Sequence, residues 1–309
     1  ALRMAGLWEA FSEQVLENGD ALKILDPQSI VRLEEVGNGE RPEIDRQSLR
    51  KLLADSLPPE IVRWGCKLTS ITDQGDHFSL NFADGTAERA RVAIGADGAW
   101  SRVRPVLTEV MPAYTGVTFV ELRHTEVKAR CPYANKLVGD GLMFALGDSK
   151  GFIGHREPND EVCVYAALRV PEDWQRNPVS REGLAALFAD WDSTYHTLIA
   201  ECDSLQIRPL YALPIGFRWP RSRRATLLGD AAHVMSPFAG EGVNLALADG
   251  CDLAEAINRH PNDIATAIAE YEEAMYARST IMAQASHDSL ERLIGPNGLA
   301  NVLEFFTSI

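Results

Sequence analysis

An α/β fold interrupted by an antiparallel sheet is the class this 309-residue sequence predicts, and three observations predict it. Residues Ala225 to Ile257 run as an apolar strand, a Gly-Asp turn, a Pro-Phe-Ala-Gly loop and a helix start in unbroken order. Val92 and Ile94 lie in a second apolar strand that ends at Gly-Ala-Asp-Gly. Asp97 is thereby set at a strand's carboxyl end, where open α/β sheets collect ligands. Between the two blocks, from Thr115, the pattern changes to short strands joined by Asp-, Gly- and Pro-containing turns.

In order along the chain, ALRMAGLWEAFSEQVLE spaces Leu7, Phe11 and Val15 four apart and predicts an amphipathic helix. Asp45 caps a second helix that turns Leu49, Leu52, Leu53 and Leu57 inward before Pro58 stops it, with Arg46 in its first turn. Lys67 to Thr72, His77 to Phe82 and Thr86 to Ala90 predict a small meander with Asp84-Gly85 as a turn. It feeds the strand Arg91 to Ile94. Thr118 to Leu122, Gly141 to Leu146, Gly151 to His155 and Glu161 to Val170 predict an antiparallel sheet. Glu182 to Trp191 is a short helix, and Ile264 to Ile294 is helical, with Ile268, Tyr271, Met275 and Met282 on its apolar face.

Composition narrows the function classes. A hydrophobic content of 46% over this length supports one large domain or two closely packed ones, each with a substantial core. The net charge of -14 opposes nucleic acid or an anionic membrane as partner, because both demand clustered positive charge. No apolar run approaches the roughly 18 residues of a spanning helix, and the cytoplasm is the default expectation; a monomer is expected separately. Cys66, Cys131, Cys163, Cys202 and Cys251 are odd in number and lack a C-x-x-C pair, which suggests neither a disulfide framework nor a zinc site.

Three local features invite other chemistry. Gly147-Asp148-Ser149-Lys150-Gly151 satisfies G-x-S-x-G, but it lies between two strands, whereas a nucleophile elbow needs a strand-to-helix turn; a hairpin turn is the better reading. His233 beside Asp230 could act as an acid or base, or pack as a hydrogen-bonded structural histidine, and the second reading is preferred. Arg218, Arg221, Arg223 and Arg224 could meet a phosphate or form a solvated loop, with the loop preferred.

The strand-turn-helix block has a chemistry of its own. Gly229 permits a tight turn, and Asp230 offers a carboxylate to sugar-like hydroxyls. Gly240 and Gly242 remove side chains where a planar ligand approaches the backbone, and the helix beginning near Val243 points free N–H groups at it.

GDAAH followed by PFAGEGVN resembles the second flavin-binding motif of the single-component FAD-dependent aromatic monooxygenases, the hydroxybenzoate-hydroxylase-like group. VAIGADGAWSRVR, Val92 to Arg104, resembles the same family's Asp-Gly motif through Asp97, Gly98, Ser101 and Arg104. EIDRQSLRKLL, Glu43 to Leu53, sets Arg46 on the family's flavin-contacting arginine. The nearest flavour is the tetracycline-inactivating branch, with its link to antibiotic resistance. The resemblance implies a Rossmann-like, three-layer FAD/NAD(P)-binding domain, an inserted antiparallel-sheet substrate domain and a C-terminal helix. Residues 1–110 and 216–262 would form the FAD-binding domain, 111–215 the substrate domain and 263–309 the C-terminal helical segment. The family opens with a strand, a G-x-G-x-x-G turn and a helix; that motif does not occur in these residues, so the FAD-binding domain is expected to be incomplete at its N-terminus.

As implied by the resemblance, the cofactor is contacted by Arg46, Asp97, Gly98, Arg104, Gly229, Asp230, Pro237, Gly240, Gly242, Val243 and Asn244. Glu121, Met143, Phe152 and Val164, with Pro237, Phe238 and Gly240, would line the substrate pocket. No side chain is expected to act as catalytic nucleophile and no metal is expected. NADPH or NADH would reduce FAD, and O2 would form a flavin C4a-hydroperoxide that hydroxylates a phenol or polyketide. Two alternatives stay open: a ligand-binding pseudoenzyme that holds no FAD, and a flavin-dependent reductase or dehydrogenase.

Overall fold

A computed structural model describes residues 1–16, 18–176 and 179–307. Glu17, at the end of the first expected helix, and Ser308 and Ile309, in the C-terminal segment, lie outside the described residues. In chain order the elements are α1 (Trp8–Ser12), β1 (Leu22–Leu25), β2 (Val31–Glu35), α2 (Arg46–Asp55), β3 (Leu68–Asp73), β4 (Phe78–Phe82), β5 (Ala87–Ala90), β6 (Ala93–Gly95) and β7 (Ala113–His124). There follow α3 (Val127–Arg130), α4 (Pro132–Val138), β8 (Leu142–Leu146), β9 (Lys150–Glu157), β10 (Glu161–Arg169), α5 (Arg181–Leu187), α6 (Ser193–Ala200) and β11 (Ser204–Ala212). The chain closes with β12 (Ala225–Leu227), α7 (Asp230–His233), α8 (Gly242–Arg259), α9 (Ile264–Leu293) and α10 (Gly298–Thr307). None of these helices is long and apolar enough to cross a membrane.

The chain divides into two compact units. The first comprises Ala1–Trp8, Ala54–Thr115 and Tyr211–Ser289. In it β6 and β12 pair in parallel, Ala93 with Ala225 and Gly95 with Leu227, and the meander β3-β4-β5 is antiparallel. Ala225, Leu227, Ala231, Leu253, Tyr271 and Met275 belong to its core. The Tyr271 hydroxyl donates to the Leu227 carbonyl at 2.8 Å, so α9 is fastened to the strand that precedes the Gly-Asp turn.

The second unit comprises Glu9–Leu53, Gly116–Leu210 and Leu290–Ile309. Its sheet runs β11-β7-β10-β9-β8-β1-β2. The antiparallel part follows the sequence expectation, and the G-x-S-x-G segment is the β8-β9 hairpin turn, with the Gly147 N–H donating to the Lys150 carbonyl at 3.0 Å. Strands β1 and β2 extend this sheet, β1 pairing in parallel with β8, and so Glu9–Leu53 belongs to this sheet unit, whereas the sequence expectation grouped it with residues 1–110. The expected first helix is reduced to α1, preceded by turns and a left-handed Gly6 at φ 71°. Asp45 does cap α2, accepting from the N–H groups of Gln47 and Ser48 at 2.8 and 3.2 Å.

One face of the large sheet carries the core. Leu122, Met143, Phe152, Val164 and Ala166 pack there with Leu184, Phe188, Tyr195 and Leu198 from the helices. Phe152 anchors the cluster, its ring centroid 4.3 Å from Phe188 and 5.3 Å from Tyr195.

Candidate cofactor and substrate site

In the first unit, β6 and β12 end side by side, and each leads into one of the motif turns. Asp97, after β6, accepts from the Arg102 N–H at 2.6 Å, and the Ser101 hydroxyl oxygen accepts from the N–H groups of Val103 and Arg104 at 3.1 and 2.9 Å. This folds the segment back so that the Arg104 side chain enters the interior, fully buried. Its guanidinium donates to the carbonyls of Ala231 and Asp230 at 2.9 and 3.2 Å. Arg104 thus ties the Asp-Gly turn to the Gly-Asp turn. Burial lowers its pKa, opposed by the carboxylates of Asp97 and Asp230. The remaining guanidinium nitrogen, Nη1, is buried without a partner.

After β12, Gly229 holds φ 59° and ψ -144°, a conformation closed to other residues, and a Cβ there would lie 3.1 Å from that of Ala246. Its N–H donates to buried Asp249 at 2.8 Å, and His233 Nε2 bonds the same carboxylate oxygen at 2.7 Å. Arg278 meets the other oxygen of Asp249 at 2.8 Å and Asp252 at 2.7 Å. Burial opposes ionisation of Asp249, but His233, the Gly229 N–H and Arg278 outweigh it and hold the carboxyl below its ordinary range. His233 is therefore a hydrogen-bonded structural residue.

Asp97, Asp230, Pro237, Gly240, Val243 and Asn244 are exposed, and Gly98, Phe238 and Gly242 are partly so. Gly98 and Gly240 hold φ 81° and 70°, and a Cβ at either would meet nothing within 4 Å. Helix α8 starts at Gly242 without a side-chain cap, leaving first-turn N–H groups for a ligand. Two exposed carboxylates, two side-chain-free turns, an uncapped helix and an orphaned buried guanidinium nitrogen fit a flavin dinucleotide. Arg46 is exposed at the start of α2 and belongs to the second unit.

The second unit corrects the pocket expectation. Residue Glu121 pairs across the sheet with Tyr165, whereas Val164 pairs with Leu122 and Phe152 with Ala166. Successive residues point to opposite faces, so Met143, Phe152 and Val164 share the helix-covered core face, all fully buried, and Glu121 points the other way. Those three residues are core, and they do not line a pocket with Glu121. On the Glu121 face lie Phe119 and Tyr165, their rings 5.0 Å apart, with Phe144, Ile153 and His155. Arg123 Nε donates to Glu121 at 2.9 Å, and Arg208 donates to its other oxygen. Burial raises the Glu121 pKa, but Arg208 and Arg123 overcome it and keep the carboxyl below its ordinary range. Burial pushes His155 down to about 4 and the Cys163 thiol up to about 11.

Comparison with known proteins decides the family. The family model described as "FAD binding domain" matches residues 1–285. The chain belongs to this family of FAD-dependent monooxygenases. Monooxygenase asqM of Emericella nidulans is 30% identical, the match covering 84% of this chain and 71% of that protein. The 6-hydroxynicotinate 3-monooxygenase of Pseudomonas fluorescens is also 30% identical, over 80% of this chain and 65% of that protein. Klebsiella pneumoniae HpxO, solved with FAD and uric acid, shares the fold with a TM-score of 0.79 at 21% identity, covering 99% of this chain and 80% of that one. Like its family, the chain is a flavin-dependent monooxygenase acting on an aromatic substrate. Its Rossmann-like α/β part, inserted antiparallel sheet and C-terminal helices are the family's fold.

Sequence reasoning missed Asp249 and Arg278. A signal for the first was present: Asp249 interrupts the apolar stripe of Leu245, Leu253 and Ala256 on α8, and a carboxylate on a buried helical face requires partners.

Proposed function

We propose that the enzyme hydroxylates an electron-rich ring carbon of a small phenolic or heteroaromatic substrate, using NADPH or NADH as reductant. One oxygen atom of O2 enters the product, and the other leaves as water with the two electrons of the nicotinamide. Bound FAD supplies the oxygen activation. Asp230 holds the ribityl hydroxyls, and the Gly240–Asn244 backbone faces the flavin ring with its N–H groups. Asp97 and Gly98 border the pyrophosphate, and Pro237 and Phe238 form an apolar wall. Arg46 remains a candidate contact on the motif match alone. The observation that carries this reading is the pair of motif turns at adjacent strand ends, bridged by Arg104.

On the substrate side, the candidates are Glu121 and the aromatic face around it in place of Met143, Phe152 and Val164, with Pro237, Phe238 and Gly240 retained. The hydroxynicotinate monooxygenase among the relatives supports a small ring that carries a hydroxyl. The test is incubation of the FAD-loaded chain with NADPH, 18O2 and a panel of phenols, hydroxypyridines and polyketides. Gain of one labelled oxygen by a phenol or hydroxypyridine is expected. NADPH oxidation that yields only hydrogen peroxide across the panel overturns the reading, and turnover confined to the polyketides overturns its substrate class.

A further inference from the structure

The Gly229–His233 turn is gripped from beneath by buried Asp249, which part-exposed Arg278 and Asp252 support in turn, and none of these three belongs to the cofactor motifs. Asp249 accepts from the Gly229 N–H at one end of the turn and from the His233 ring at the other through a single oxygen, Oδ2. Its second oxygen is held by Arg278 of α9, and Arg278 is in turn fixed by Asp252, one helical turn along from Asp249 on α8. Asp249 is fully buried, and no solvent reaches its carboxylate to substitute for a lost partner. Gly229 occupies a backbone conformation that needs external support, and the Asp249 bond is the contact made to its N–H.

We propose that Asp249, Arg278 and His233 act as positioning residues that set the Gly229–Asp230 turn, and with it the Asp230 carboxylate, in the geometry the cofactor requires. The inference rests on the reading of Asp230 as a cofactor contact, and it makes α9 a determinant of flavin affinity although no residue of α9 belongs to the motifs. Asp249 contributes the acceptor, Arg278 keeps that acceptor ionised and oriented, and His233 fixes the far end of the turn.

Two measurements test it on Asp249→Asn, Arg278→Gln and Arg278→Lys. Hydrogen–deuterium exchange of the unliganded chain is expected to show residues 228–234 exchanging at least about tenfold faster in Asp249→Asn and Arg278→Gln. Exchange in β7–β10 should stay unchanged, and Arg278→Lys should restore most of the protection. FAD titration should show the same order, with affinity falling about tenfold or more in the first two and recovering in the lysine variant. Unchanged exchange over 228–234 in both disruptive variants overturns the proposal, as does equal loss of protection throughout the chain, which marks a merely structural role. Arg278 is part-exposed, so its two variants decide the matter if Asp249→Asn does not fold. Asp230→Ala run alongside separates the two claims: if it leaves FAD affinity intact, the reading of Asp230 fails, while the exchange result still decides whether the network sets the turn.

Discussion

His124, on the core face of the second unit, has both ring nitrogens buried without a hydrogen-bond partner, and burial depresses its pKa from 6.5 to about 4. A histidine held neutral in the fold and free to protonate when unfolded stabilises the native state fully above pH 6.5. That contribution falls as pH drops from 6.5 towards 4. Replacing it with a hydrophobe removes the proton linkage, so His124→Leu should flatten the decline of the urea midpoint between pH 7 and 4.5. A parallel decline in both proteins would assign the acid sensitivity to other groups. Phe152 tests the proposed substrate face at the same scale. Phe152→Leu loosens an aromatic core cluster and should cost about 1 kcal/mol or more in thermal denaturation, with substrate KM left within about twofold. Glu121→Gln should raise KM well beyond that, on top of the stability lost when its buried ion pairs with Arg123 and Arg208 are broken. The reverse pattern would return Phe152 to the pocket.

At the scale of elements, the two motif turns are built differently although each follows a parallel strand. The Asp-Gly turn is self-supporting through Asp97 and Ser101, which accept from N–H groups of their own segment. The Gly-Asp turn depends on Arg104 above and Asp249 below. Gly229→Ala should therefore cost about 2 kcal/mol, since alanine cannot hold this backbone conformation without strain and its methyl meets Ala246. Differential scanning calorimetry measures this directly, and a melting temperature within a degree of the parent would show that the turn relaxes freely.

At the scale of the whole molecule, the parts of the fold legible in sequence are those fixed locally. The Phe78, Leu80, Phe82 alternation and the Asp84-Gly85 turn gave β4 and β5, the Asp45 cap gave α2, and the strand-turn-helix block gave β12, α7 and α8. Strands β1 and β2 escaped because β2, Val-Arg-Leu-Glu-Glu, is short, charge-rich and buries none of its residues, and β1 finds its partner β8 more than a hundred residues away. The Asp-Gly and Gly-Asp turns were readable because each pairs a positive-φ glycine with an aspartate directly after a short apolar strand. The face of the large sheet that carries Glu121 was not, because side-chain orientation in a strand has a period of two and a slip of one residue exchanges the two faces. Asp249 and Arg278 were hidden for a related reason: their pairing joins two helices, and only the burial of a carboxylate on α8 hinted at it.

The most direct test of the central claim is titration of the chain with FAD, followed by quenching of flavin fluorescence, for the parent and Asp230→Ala. Saturation at one FAD per chain is expected, with affinity reduced about tenfold or more in the variant as a charged acceptor is lost. Absence of saturable binding, or identical curves for the two proteins, would contradict the assignment of these turns as the flavin site.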